Sequence, residues 1–276
     1  MATNPDKETG RGQQISQNAV ASWCIENRVP IAKISNQFEL TKLVKELNVD
    51  LIITVAYGHI LSDEILHLPR YGCINMHYSL LPKYRGAAPV QWAILNGELE
   101  TGVTIFKLDS GMDTGPIFSQ EKLKILPTET TNQLLIRLNN LGVNLLDKTL
   151  KEIQSRSQPK AQSESFASRA PKFKKEDGLI DWQLTSDQIF NKFRALSENP
   201  GVFTQLNGAR IKINGMGVLD SNYLSPGKFK LFDQILKVGT ATYDITLTSV
   251  TPEGRKNMSG FDFYNGIKDK EGLYFD

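Results

Sequence analysis

The chain has 276 residues, 40% of them hydrophobic, enough to bury the core of one large domain or of one domain plus a small one. Its net charge of +2 with a pI near 8.4 is too mild to point to any partner. Two cysteines, Cys24 and Cys73, make neither a close pair nor a framework, and no run approaches the roughly 18 apolar residues of a membrane span. A disulfide scaffold and a helical membrane protein are thereby excluded.

The first stretch, NPDKETGRGQQ, carries Pro5, Gly10 and Gly12 and predicts an irregular loop. A helix is expected from about Asn18 to Asn27, with Val20, Trp23 and Cys24 on one face. A short strand over 29–34 and a helix from Gln37 to Leu47 follow. The run DLIITVAYG has the apolar, β-branched pattern of a strand buried on both faces of a parallel sheet. SDEILHL predicts a short helix, CINMH a strand, PVQWAILNG a helix and TGVTIFKLD another strand. After GPIFSQEKLKI, Leu134, Leu138, Leu141 and Leu145 fall at three- and four-residue steps along a helix from about Thr131 to Gln154. Alternation of this kind predicts an α/β, Rossmann-like domain with helices on both sheet faces.

The composition shifts near residue 155. Residues 148–175 hold eight Lys or Arg against two Glu, and SRSQPKAQSESFASRAPKFKKEDG is polar and turn-prone. That segment reads as a bridge. A helix capped by Thr185 or Ser186 follows, with Ile189, Phe190, Phe193 and Leu196 inward. Beyond Pro200 come GVFTQL, an Asn207-Gly208 hairpin turn, ARIKI, KFKLF, ILKV and YDITLTSV, the pattern of a small β-barrel of OB-like type. The expected domains are therefore 1–156, a linker over 157–182, and 183–276.

The chemistry gathers around CINMHYSLLPKYRGAAP, residues 73–89. On a strand, Asn75 and His77 point to one face, two residues apart, at the carboxyl end where open α/β sheets collect ligands. Downstream, DSGMDTGP supplies Asp109 and Asp113 in a glycine-rich loop. A carboxamide can donate to a developing oxyanion, an imidazole can move a proton, and a carboxylate can orient that imidazole. Together they suit acyl or formyl transfer to an amine. Asn-x-His at a strand end is also ordinary turn chemistry, so these residues alone leave both readings open. Ser79 lies outside any Gly-x-Ser-x-Gly elbow, which disfavours a serine hydrolase. The chain also lacks His-x-x-x-His and Cys-x-x-Cys spacings, so no metal is expected.

The stretch from AYGHIL through GCINMHYSLLPKYRGAAPVQWAILNGELETGVTIFKLDSGMDTGPIF closely resembles the folate-dependent formyltransferases. Asn-x-His, Ser-Leu-Leu-Pro, Arg-Gly-Ala-Ala-Pro and Asp-x-Gly-x-Asp-x-Gly appear in order and at family spacing, within a similarity running from about residue 3 to 266. The resemblance implies that Asn75, His77 and Asp113 are catalytic, and that Ser79, Leu80, Leu81 and Pro82 line the tetrahydrofolate site. It implies 10-formyltetrahydrofolate as co-substrate and the α-amine of initiator methionyl-tRNA as acceptor, with NPDKETGRGQQ resembling a loop that enters the acceptor region. Arg11, and Lys7 with it, would contact the tRNA there, and the linker and barrel resemble the family's C-terminal tRNA-binding domain. The acceptor could instead be a nucleotide-sugar amine, or the chain could be an inactive relict that still binds tRNA. The family's opening strand, helix and second strand are expected before Met1, roughly thirty residues in all. The expected setting is cytosolic (or an organelle matrix), without membrane attachment and as a monomer.

Overall fold

The computed structural model describes residues 1–9, 13–270 and 272–276. In chain order its strands and helices are β1 (Ala2–Thr3), β2 (Lys7–Thr9), β3 (Gln14–Ser16), α1 (Ala19–Glu26), β4 (Ala32–Lys33), α2 (Gln37–Leu47), β5 (Ile52–Val55), α3 (Asp63–His67) and β6 (Cys73–His77). Then come α4 (Pro89–Leu95), β7 (Glu100–Lys107), β8 (Ile117–Lys124), α5 (Thr131–Gln154) and α6 (Ser186–Leu196). The C-terminal part holds β9 (Val202–Leu206), β10 (Ala209–Val218), β11 (Phe229–Phe232), β12 (Ile235–Val238), β13 (Ile245–Pro252), β14 (Met258–Ser259) and α7 (Gly260–Asn265).

The chain divides into two compact units whose segments interleave. The first comprises residues 1–77, 104–120 and 144–164; the second comprises 78–103, 121–143 and 165–276.

In the first unit, α2 forms where the sequence places it. Asn36 accepts from the Glu39 backbone N–H at 3.0 Å, while the Glu39 carboxylate reaches back to the Ser35 N–H at 2.8 Å. Asn48 ends the helix in the left-handed conformation, which asparagine tolerates better than most residues. Leu40 and Val44, four apart, bury against Leu61, Ile65, Leu66 and Cys73, each burial contributing about 1.5–3 kcal/mol for a full aliphatic side chain. This core underlies β5 and β6, which pair in parallel with Thr54 opposite Asn75.

Three expectations change here. Lys7–Thr9 and Gln14–Ser16 pair as an antiparallel hairpin, so the opening stretch is partly regular, a pairing of backbone groups that needs no apolar run in the sequence. In α1 the buried residues are Ala21 and Cys24, with Val20 and Trp23 exposed; the buried face is the one where Cys24 Sγ meets Met1 Sδ at 3.4 Å. In β5 burial alternates, with Ile53 41% and Val55 43% exposed. β5 is the outer strand of the sheet order β5-β6-β7-β8, and its Ile52 face alone packs on the core. The sheet is mixed, because β7 runs antiparallel to β6, His77 lying opposite Thr104.

In the second unit, Ala88 precedes a proline-initiated α4, whose Trp92 donates its indole N–H to Pro171 O at 2.8 Å and stacks on Phe173. These contacts pack α4 against residues 171–173. Thr185 and Gln188 form a reciprocal capping box at the start of α6. The C-terminal strands make an antiparallel sheet in the order β11-β12-β13-β10-β9, with β14 beside β13. Asn207 (φ 51°) and Gly208 (φ 76°) supply the two left-handed residues of the tight β9–β10 hairpin. Among the described residues no ladder joins β11 to β9. Trp182, Phe229, Phe263 and Phe275 form the aromatic core beneath this sheet, with Phe229 and Phe275 stacked at 4.2 Å.

Candidate active site

Strand alternation brings Asn75 and His77 to the same face at the carboxyl end of β6. Thr54, register partner of Asn75 on β5, directs its hydroxyl to Asn75 Oδ1 at 3.0 Å and to Ile74 O at 3.2 Å. With its oxygen engaged by Thr54, the carboxamide turns its NH2 group away from β5 as a donor. His77 is buried, its ring meeting Phe106 edge-on at 6.3 Å.

The loop after β7 brings in the third group. Asp113 Oδ2 lies 3.7 Å from His77 Nδ1, with the two side chains only 15% and 6% exposed. At that depth solvent screens the pair weakly. Three devices hold the loop. Asp109 accepts from Gly111 N–H at 3.0 Å and from the Thr114 hydroxyl at 2.7 Å, the shaping role its position suggests. Gln162 donates from Nε2 to Asp113 O at 2.9 Å and Gly115 O at 2.7 Å. A Cβ at Gly115 would sit 1.8 Å from Lys107 O, so only glycine lets the loop close against β7. Asp113 itself has φ 56°, a left-handed conformation that turns its carboxylate out of the loop.

His77 and Asp113 thus meet, with Asn75 on the same face of β6 as His77, although Asp113 is remote from the other two in sequence. Thr54 and Gln162 escape the sequence reading. A hydroxyl inside the apolar run of β5 was a readable signal for Thr54. Gln162 carried none, lying in the polar stretch read as a linker, whose Lys160 also pairs with Ile117.

In the second unit, Ser79 is fully buried and donates to Lys83 O at 2.6 Å, which closes the Ser-Leu-Leu-Pro turn. Leu81 is buried and Leu80 and Pro82 are half-buried. The following Arg-Gly-Ala-Ala stretch runs against residues 168–170, through Arg85 N–H to Ser168 O at 2.8 Å and Ala170 N–H to Arg85 O at 2.7 Å. Gly86 (φ 125°) is required there, since a Cβ would lie 2.7 Å from Ala170 O. Lys7 is exposed on β2, and Arg11 lies outside the described residues. His67 donates from Nδ1 to Asp63 O within α3, and His59 stands edge-on to Tyr57; neither joins the site.

Residues 1–150 match the family model described as formyl transferase, and residues 172–268 match its C-terminal domain. A protein of Kosmotoga olearia named methionyl-tRNA formyltransferase is 44% identical over 98% of this chain and 89% of its own length. One of Geobacter metallireducens with the same name is 37% identical over 99% of this chain and 89% of its own. Among solved structures, HypX from Aquifex aeolicus in complex with tetrahydrofolic acid superposes with a TM-score of 0.68 at 17% identity, covering 91% of this chain and 47% of that one. The sugar 3N-formyl transferase WlaRD, solved with dTDP and 5-N-formyl-THF, gives 0.65 at 21% identity, covering 92% and 87%. The two structures speak to the fold; the two sequence relatives and both family models place the chain more narrowly. The chain belongs to the formyltransferase family, among the relatives named methionyl-tRNA formyltransferase.

Proposed function

We propose that this chain transfers the formyl group of 10-formyltetrahydrofolate to the α-amino group of methionine on initiator methionyl-tRNA. The observation that carries the reading is the buried His77–Asp113 pair at 3.7 Å beside Asn75 at a strand end, in a chain 37–44% identical to the two methionyl-tRNA formyltransferases above. The reaction exchanges one C–N bond for another. The amine nitrogen bonds to the formyl carbon, the bond to the folate nitrogen breaks, and one proton passes from amine to folate.

Asn75 donates from its NH2 group to the formyl oxygen as negative charge builds there, with Thr54 holding the carboxamide in that orientation. Imidazolium His77 donates to the same oxygen. Asp113 stabilises that cation and takes part in relaying the amine proton. Ser79, Leu80, Leu81 and Pro82 bind the tetrahydrofolate. Lys7 and Arg11 contact tRNA phosphates, and residues 183–276 form a tRNA-binding domain joined by the 157–182 linker to a catalytic domain over 1–156.

The test is acceptor choice. Labelled 10-formyltetrahydrofolate is supplied with charged initiator tRNA or with a nucleotide-linked amino sugar. Formyl-methionyl-tRNA is expected as the product, at a kcat/KM at least about a thousandfold above the sugar reaction. Turnover of the sugar alone, or tRNA binding without turnover, contradicts the proposal.

A further inference from the structure

A cavity of about 250 Å³ opens in the first unit at the end of β6 away from His77. Tyr71 lies just before β6, and Lys107, at the end of β7, pairs with Ile74, three residues and thus about 10 Å of strand before His77. Phe118 comes from β8, Ile153 from the last turn of α5, and Arg156 from just beyond it. Arg70 completes the rim, its guanidinium 5.2 Å from the centre of the Tyr71 ring.

Three cationic residues therefore line one cavity, and among the described residues no carboxylate lines it. Among the described residues neither Arg70, Lys107 nor Arg156 forms an ion pair. Like charges gathered without counter-charge repel one another, and an anion between them removes that cost. Backbone geometry favours the arrangement twice. Gly72 (φ 77°) leaves room for the Lys107 stem, whose Cε would stand 3.1 Å from a Cβ at that position. Arg156 takes the left-handed conformation (φ 61°) after α5, where glycine is the usual residue, at a cost of about 1–2 kcal/mol. The terminal carbonyls of Glu152 and Ile153 already accept from Ser157 and Arg156 N–H groups, which reduces the negative field of the helix end.

We propose that this cavity binds a small phosphorylated molecule, separately from the formyl-transfer site. Two guanidinium groups and an ammonium suit a phosphoryl group, the guanidinium fork matching its oxygens in pairs. Tyr71 and Phe118 offer ring surface to a planar moiety. The same phosphate chemistry occurs in an RNA backbone, but the cavity has the size of one small ligand.

The test is calorimetric titration of the full chain with AMP, adenosine and inorganic phosphate. AMP should bind saturably below about 1 mM, and at least tenfold more tightly than adenosine. Arg70→Gln, Lys107→Met and Arg156→Gln, each checked for an unchanged melting temperature, should weaken AMP at least fivefold, with kcat for formyl transfer within twofold of the parent. His77→Ala should bind AMP as the parent does, and saturating methionyl-tRNA should leave AMP binding unchanged. Equal binding of AMP and adenosine, or indifference to all three substitutions, overturns the proposal. Competition by tRNA also overturns it, assigning the phosphate contact to RNA instead.

Discussion

Asn75 illustrates how much of a side chain's behaviour is set by a neighbour. Its register partner Thr54 holds the amide oxygen, so Thr54→Val keeps the shape and removes the hydroxyl. That change should lower kcat about tenfold with little effect on KM, while Thr54→Ser restores most of the rate, an outcome that mere packing would not give. Gly115 is a steric case. Gly115→Ala drives a methyl group into Lys107 O and should cost about 1–3 kcal/mol in denaturant unfolding, with loss of activity as Asp113 moves. Cys73 shows the opposite of activation. Burial pushes its thiol up to about 11, against the pull of the Lys107 ammonium. A thiol held neutral by the fold contributes stability that is fully present below pH 9 and is lost as the pH climbs towards 11. Iodoacetamide at pH 8 should therefore label Cys73 only after denaturant is added, as peptide mass analysis would detect.

Elements were legible in the sequence where a local signal had no competitor. Periodic apolar residues and terminal asparagines define α2 to the residue, and the leucine steps define α5. Asn207-Gly208 announces its hairpin, whereas the tight turn at Asp233 and Gln234, also with positive φ at both residues, carries no glycine to reveal it. Strands were harder. The apolar run of β5 reads as buried on both faces, yet burial depends on what lies across the sheet, which a single strand does not encode. The direction of β7 was equally hidden, because strand periodicity is the same for parallel and antiparallel pairing. The hairpin of β2 and β3 pairs strands of only three residues each, with Ile15 the single apolar side chain among them, so no hydrophobic alternation marks it.

At the scale of the whole molecule, the site is a product of topology. Asn75 and His77 were readable as a pair from their spacing, and Asp113 from its glycine-flanked loop. The approach of Asp113 to His77 at 3.7 Å depends on β7 returning antiparallel beside β6 and on Gln162 reaching the loop from beyond α5. The most direct test of that arrangement is a double-mutant cycle on formyl transfer to methionyl-tRNA under single-turnover conditions. His77→Ala should reduce the rate by about 10²–10⁴. Adding Asp113→Asn to it should cost less than the same change made in the parent, since part of what Asp113 does is to stabilise the imidazolium. A His77→Ala rate within threefold of the parent, or fully additive losses, would contradict the account.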